Sequence, residues 1–151
     1  MGFPEQSHPH SDLTAEIIGA SQEVHRALKP GLDEKVYENS LCVELGIREI
    51  RFNQQKNHPI YYKEHYVGKL IPDLIVDDRV LVDAKAVESF NDKHTAQMLG
   101  YLNITGLEIG LLINFKQASL QVKRIANLQK NQSQSEQSVV NLLDPPTPSE
   151  P

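Results

Sequence analysis

A lone cysteine, no membrane-length apolar run and no excess of basic residues set the first limits on this 151-residue chain. Cys42 has no partner for an internal disulfide, which points to a reducing compartment, the cytoplasm. Within Leu41-Cys42-Val43 it reads as a packed helix residue rather than a nucleophile, since no nearby group serves it as a base. A membrane-spanning helix needs about 20 consecutive apolar residues. The chain has no such run, so a soluble protein with one buried core is expected from its 39% hydrophobic content. Residues 1–10 lack the basic flank and apolar segment of a secretory signal. There is no internal repeat.

The net charge of −5 excludes a broad basic surface. The C-terminal Lys130, Glu136, Asp144 and Glu150 carry −2 of it, leaving −3 for the remainder. Non-specific affinity for nucleic acid comes from Lys and Arg neutralising phosphates, so the isolated chain should bind nucleic acid weakly and lose it readily with salt.

Two helices open the chain. Ser11 or Asp12 is placed to cap a helix from Leu13 to Leu28, whose Leu13, Ile17, Ala20, Val24 and Leu28 form one apolar stripe. Asp33 is placed to cap a second, running to Leu45 and closed by Gly46, that buries Val36, Leu41 and Leu45. Ile60-Tyr61-Tyr62 and Tyr66-Val67-Gly68 read as strands that extend the sheet ahead of a hairpin. The hairpin pairs Leu70–Val76 with Val80–Ala86. A helix over Asn91–Thr105 follows, with Gly106 as its C-cap, then a fully buried strand at Gly110–Phe115 and an alternating edge strand at Leu120–Ile125. This order predicts an α/β domain with a mixed central sheet flanked by helices. The expected divisions are a flexible N-terminus over 1–12, the folded domain over 13–127, and a disordered Gln/Ser/Pro-rich tail over 128–151.

Chemistry is concentrated in the hairpin. Loop length decides whether Asp73 and Asp83 meet, because a one-residue slip moves a carboxylate to the other face. A two-residue turn would pair Asp73 with Val82. A three-residue loop, Asp77 to Arg79, built on a type I turn with Asp78 left-handed in a bulge, pairs Val76 with Val80 and so Asp73 with Asp83. Opposed residues have β-carbons roughly 4.5–5.5 Å apart, close enough to share a divalent cation. Asp73 and Asp83 would then hold Mg²⁺ or Mn²⁺, with the Ala84 carbonyl completing the inner shell. Lys85, on the same face, would position an attacking water or offset charge at phosphorus. Gln97 and Tyr101 are four residues apart and share a helix stripe with His94, within reach of a scissile phosphate. Asp83 and Lys85 equally suit an ordinary ion pair, and Gln97 and Tyr101 suit polar positions on an amphipathic helix.

Five stretches in order resemble the PD-(D/E)XK nuclease superfamily and, within it, the GxxExxY proteins. They are Ile17-Ile18-Gly19-Ala20 with Glu23-Val24-His25; Gly31-Leu32-Asp33-Glu34-Lys35-Val36-Tyr37; Val82–Glu88; His94-x-x-Gln97; and Gly110–Phe115. The resemblance covers roughly Leu13 to Asn127. Asp83 stands where the family usually has Glu, and Ala84 where it often has Leu; the superfamily accepts either acid. The resemblance implies a single restriction-endonuclease-like domain, a metal-dependent phosphodiesterase acting on nucleic acid, with DNA favoured by analogy. It also promotes Glu34, otherwise an ordinary acid in a first helical turn, to an added acidic or metal-binding group. Gln97 and Tyr101 resemble the Gln-x-x-x-Tyr helix of the RecB-like branch. The other expectation is a catalytically silent module of the same fold that binds nucleic acid or recruits a protein partner.

Overall fold

The structure, a computed structural model, describes residues 9–127. Residues 1–8 and the expected disordered tail over 128–151 lie outside the described residues. Helices α1 (Ser11–Leu28) and α2 (Glu34–Ile47) come first. Strands β1 (Phe52–Gln54), β2 (His58–Tyr62), β3 (His65–Leu70), β4 (Leu74–Val76) and β5 (Val80–Lys85) follow. Helix α3 (Asp92–Thr105) and strands β6 (Ile109–Asn114) and β7 (Gln121–Ala126) complete the domain. Five strands form one mixed sheet in the order β1-β4-β5-β6-β7, with only β5 and β6 parallel. The α/β class with helices on both faces is as expected.

The two faces of the sheet bury separate cores. Leu74, Val76, Val80, Val82, Ala84, Leu111 and Ile113 pack under α1 and α2. Ile75, Leu81, Leu112 and Ile125 pack under Met98 and Leu102 of α3. Strand residues alternate between these two cores, so the near-continuous apolar runs of β5 and β6 follow from being covered on both sides. Gly110 lets α3 approach closely: a β-carbon there would sit 2.9 Å from Met98 Cγ and 3.0 Å from its Cε, so the Met98 side chain would have to shift.

Several boundaries differ from expectation, each for a local reason. Helix α1 starts at Ser11, capped by a left-handed His10 whose side chain makes no cap bond, so neither Ser11 nor Asp12 is the N-cap. Leu28, at the last turn, is exposed. Asp33 is the N-cap of α2 but its side chain makes no cap hydrogen bond. In α2 the core position falls to Tyr37, leaving Val36 exposed. Gly46 lies inside α2; the chain turns instead at left-handed Glu49, with Ile50 N–H donating to Leu45 O at 2.9 Å.

The expected strand Leu70–Val76 is broken at Ile71-Pro72-Asp73, where Pro72 supplies no amide to a ladder. The short β1, which the sequence did not reveal, pairs with β4 at the sheet edge. Strands β2 and β3 do not extend that sheet; they pair only with each other. One of their faces, carrying His58, Ile60, Gly68 and Leu70, is only half-buried and the other is exposed, so the pair stays outside the core. The hairpin register is as expected, Val76 opposite Val80 and Leu74 opposite Val82. Its turn is different: Asp77 and Asp78 are both left-handed, the signature of a type I′ turn, with Arg79 N–H donating to Val76 O at 2.9 Å.

Candidate active site

Ile75 and Leu81 point toward α3, so residues two positions along each chain, Asp73 and Asp83, turn to that same face, followed by Lys85. Asp83 is buried within β5, and Asp73 stands one residue before β4. The register that sets Leu74 against Val82 brings the two carboxyl groups together, and they share a hydrogen bond. Burial, then that bond and the negative charge of Asp83, push the Asp73 carboxyl well above the usual carboxylate range; Glu38 adds to the effect. The Ala84 N–H donates to Asp73 Oδ2 at 3.0 Å. Lys85 O accepts from Phe115 N on the β6 side. Successive strand residues direct their peptide groups to opposite edges, so the Ala84 carbonyl faces the Asp73 side.

Lys85 Nζ lies 3.2 Å from Asp83 Oδ2 and 3.5 Å from Gln97 Oε1. The Gln97 amide donates to the Tyr101 hydroxyl at 3.1 Å, one helical turn along α3. Burial, then the charges of Asp83 and Asp73, raise the Tyr101 phenol, which therefore keeps its proton and can donate it to a ligand oxygen. His94 is not part of this arrangement. It is spent at the start of α3, its ring accepting from Asn91 N at 3.2 Å while Asn91 Oδ1 accepts from His94 N at 3.0 Å, a reciprocal cap.

The Gly31–Tyr37 segment supplies the opposite wall. Gly31 takes φ 119°, open to glycine alone among common residues. Tyr37 is fully buried and stacks on Phe115, ring centroids 4.7 Å apart. Its hydroxyl donates to Lys29 O at 2.6 Å and accepts from Leu32 N at 3.1 Å, clamping the loop that leads into α2. Glu34, on the first turn, is thereby aimed at the end of β5, where its Oε2 accepts from Ala86 N at 3.0 Å. Behind it, fully buried Asn114 bonds both Val87 N and Val87 O, fixing the chain just after Lys85.

Three site residues, Lys35, Glu38 and Gln55, escaped the sequence reading. Glu38 is only 4% exposed, and its Oε2 accepts from Lys35 Nζ at 3.1 Å, Gln54 Nε2 at 2.8 Å and Gln55 Nε2 at 2.9 Å. Its spacing of four from Glu34, which puts both acids on one stripe of α2, was the available signal. Gln55 had none. It is held left-handed, its N–H donating to Asp73 O at 2.9 Å, and its amide bridges Glu38 to Asp73 Oδ1, 3.3 Å away.

Together Glu34, Lys35, Glu38, Gln55, Asp73, Asp83, Lys85, Gln97 and Tyr101 line one polar cavity of about 340 Å³. Two acidic side chains on one cavity, placed so that the charge of Asp83 raises the Asp73 carboxyl, form an oxygen donor set suited to a hard divalent cation, so these residues fit such an ion. Among the described residues no three His, Cys, Asp or Glu side chains converge into a ready-made ligand cluster. The groups that would hold such an ion are the Asp73 and Asp83 carboxyls, with the Ala84 carbonyl on the same side, while Glu34 lines the wall with its Oε2 accepting from Ala86 N.

A mixed five-stranded sheet, covered by helices and carrying Asp, Asp-x-Lys and a Gln-x-x-x-Tyr helix around one cavity, defines a restriction-endonuclease-like domain. The chain belongs to the PD-(D/E)XK nuclease superfamily, whose family model matches residues 11–125. No curated protein and no solved structure matches it. Among the described residues no helix is long and apolar enough to cross a membrane.

Proposed function

We propose that the protein is a GxxExxY-type nuclease that hydrolyses phosphodiester bonds in DNA with Mg²⁺ or Mn²⁺ held by Asp73, Asp83 and the Ala84 carbonyl. The observation that carries this reading is the convergence of Asp73, Asp83, Lys85, Gln97 and Tyr101 on one cavity from three separate segments. The divalent ion, when bound, supplies Lewis-acid polarisation of a phosphoryl oxygen and an acidified water.

The protein's own groups do the remaining work. Lys85 carries three donors, and with Asp83 and Gln97 fixing its ammonium, a donor and the positive charge remain to meet the charge that develops on phosphorus. Gln97 holds Lys85 in place, and Tyr101 presents a neutral hydroxyl to a phosphate oxygen. Glu34 fixes the strand end through Ala86, and Glu38 holds Gln55 against Asp73.

The test is incubation of wild type, Asp83→Ala and Lys85→Ala with linear, circular and single-stranded DNA and with RNA, at low salt with Mg²⁺ or Mn²⁺. Cleavage by wild type that both variants lose supports the reading and names the substrate. The acidic balance of the chain favours one other reading, a silent module in which the cavity binds without turnover. That module would show a divalent-dependent rise in melting temperature, abolished by Asp73→Ala, with no cleavage.

A further inference from the structure

The hairpin β2–β3 takes no part in the chemistry above. Its Tyr61, Tyr62 and Tyr66 are 60%, 62% and 59% exposed, and neighbouring Val67 is exposed as well. Tyr61 and Tyr66, adjacent on the exposed face of this two-stranded arm, form the kind of apolar patch that marks an interaction site. The rings are arranged: Tyr61 and Tyr66 are cross-strand partners with centroids 6.0 Å apart, edge to face, and Lys63 Nζ lies 5.4 Å over the Tyr62 ring.

The charge of this arm opposes that of the chain. Residues 56–71 carry Lys56, Lys63 and Lys69 against Glu64 alone, a balance of +2 in a protein of −5. The arm is also rooted at the cavity. Strand β2 starts three residues after Gln55, and β3 ends three residues before Asp73, both of which line it. A polyanion threaded through the cavity therefore has the arm beside it.

We propose that the β2–β3 hairpin is a docking arm for single-stranded DNA: unpaired bases stack on the Tyr61–Tyr66 pair while Lys56, Lys63 and Lys69 contact phosphates. This rests on the nuclease reading and narrows its substrate to strands with unpaired bases. Stacking needs a free base face, which a duplex hides. A second copy of the chain fits the arm less well, because two arms of the same positive sign repel.

The experiment is fluorescence anisotropy of the full chain in EDTA, where turnover is blocked, with labelled oligo(dT) of about 16 nucleotides, a duplex of equal length, and oligo(U). Tyr61→Leu with Tyr66→Leu keeps apolar bulk and removes stacking; Tyr61→Phe with Tyr66→Phe keeps both. Oligo(dT) is expected to bind about tenfold tighter than duplex. The Leu pair is expected to weaken it about tenfold and the Phe pair by less than about twofold. Lys63→Gln should lower the slope of log affinity against log salt by about 0.7. Should the Leu pair melt below assay temperature, the Phe pair and Lys63→Gln decide. Unchanged binding by the Leu pair, equal affinity for duplex, tighter binding of oligo(U), or a wild-type dimer that the Leu pair dissociates would each overturn the arm. Cleavage by wild type separates the two proposals. Cleavage with unaltered binding by the variants overturns the arm alone, and stacking-dependent binding without cleavage overturns the nuclease reading alone.

Discussion

The two faces of β5 are built from the same six residues and do opposite things. Val80, Val82 and Ala84 enter the core beneath α1 and α2, where they join one apolar cluster. Leu81, Asp83 and Lys85 face α3, and along that face the lining changes from a sealed contact with Met98 and Leu102 to charged and polar groups around a cavity. Burial of a charge is costly unless it is paired. Here the buried charge of Asp83 is paired with Lys85, and beside it burial and the charge of Asp83 push the Asp73 carboxyl toward its neutral form. One face is therefore optimised for stability, and the other holds acidic groups whose mutual repulsion a cation can relieve.

Substitutions on each face should separate activity from stability. The largest effect is expected from Asp83→Ala, which should lower the cleavage rate at least about 10³-fold, the scale of losing a group aimed at the reacting phosphate, with the fold retained by circular dichroism. Leu111→Ala, in the opposite core, should destabilise by about 3 kcal/mol in denaturant titration, while activity per folded molecule stays near wild type. If Leu111→Ala instead removed activity at full stability, the separation of the two faces would be broken.

Tyr37→Phe tests the connection between them. It keeps the ring stacked on Phe115 but leaves Leu32 N and Lys29 O without their partner, at about 1–2 kcal/mol. It should also lower turnover several-fold, because the loop carrying Glu34 loosens. The smallest effect concerns Cys42, at the edge of the apolar core. Burial, then the charge of Glu38, push its thiol up to about 11. The neutral thiol thus dominates at pH 8, so alkylation of the native protein should be slow, rise as pH climbs toward 11, and become fast at pH 8 once urea exposes the residue.

The apolar face was readable from sequence because alternation and β-branched runs are local signals. The hairpin register that brings Asp73 toward Asp83 was readable too, since loop length fixes it, although Asp73 lies just outside the ladder and the turn places both Asp77 and Asp78 left-handed rather than Asp78 alone. What could not be read depends on distant partners. Strand β1 is three residues whose strand character comes from pairing with β4. Val36 loses its core position to Tyr37 because Phe115, far along the chain, offers a ring to stack on. Gln55 reaches the cavity only because Glu38 and Asp73 lie on either side of it. The β2 and β3 strands were legible as strands, but their separation from the main sheet goes with one exposed and one only half-buried face, which the tyrosine-rich sequence disguises as core.

The measurement that bears most directly on the charged face is Mn²⁺ binding by titration calorimetry in the absence of nucleic acid, for wild type and for Asp83→Ala. The account predicts saturable binding by wild type that Asp83→Ala abolishes while its fold is retained. Equal binding by both proteins, or none by wild type, would contradict it.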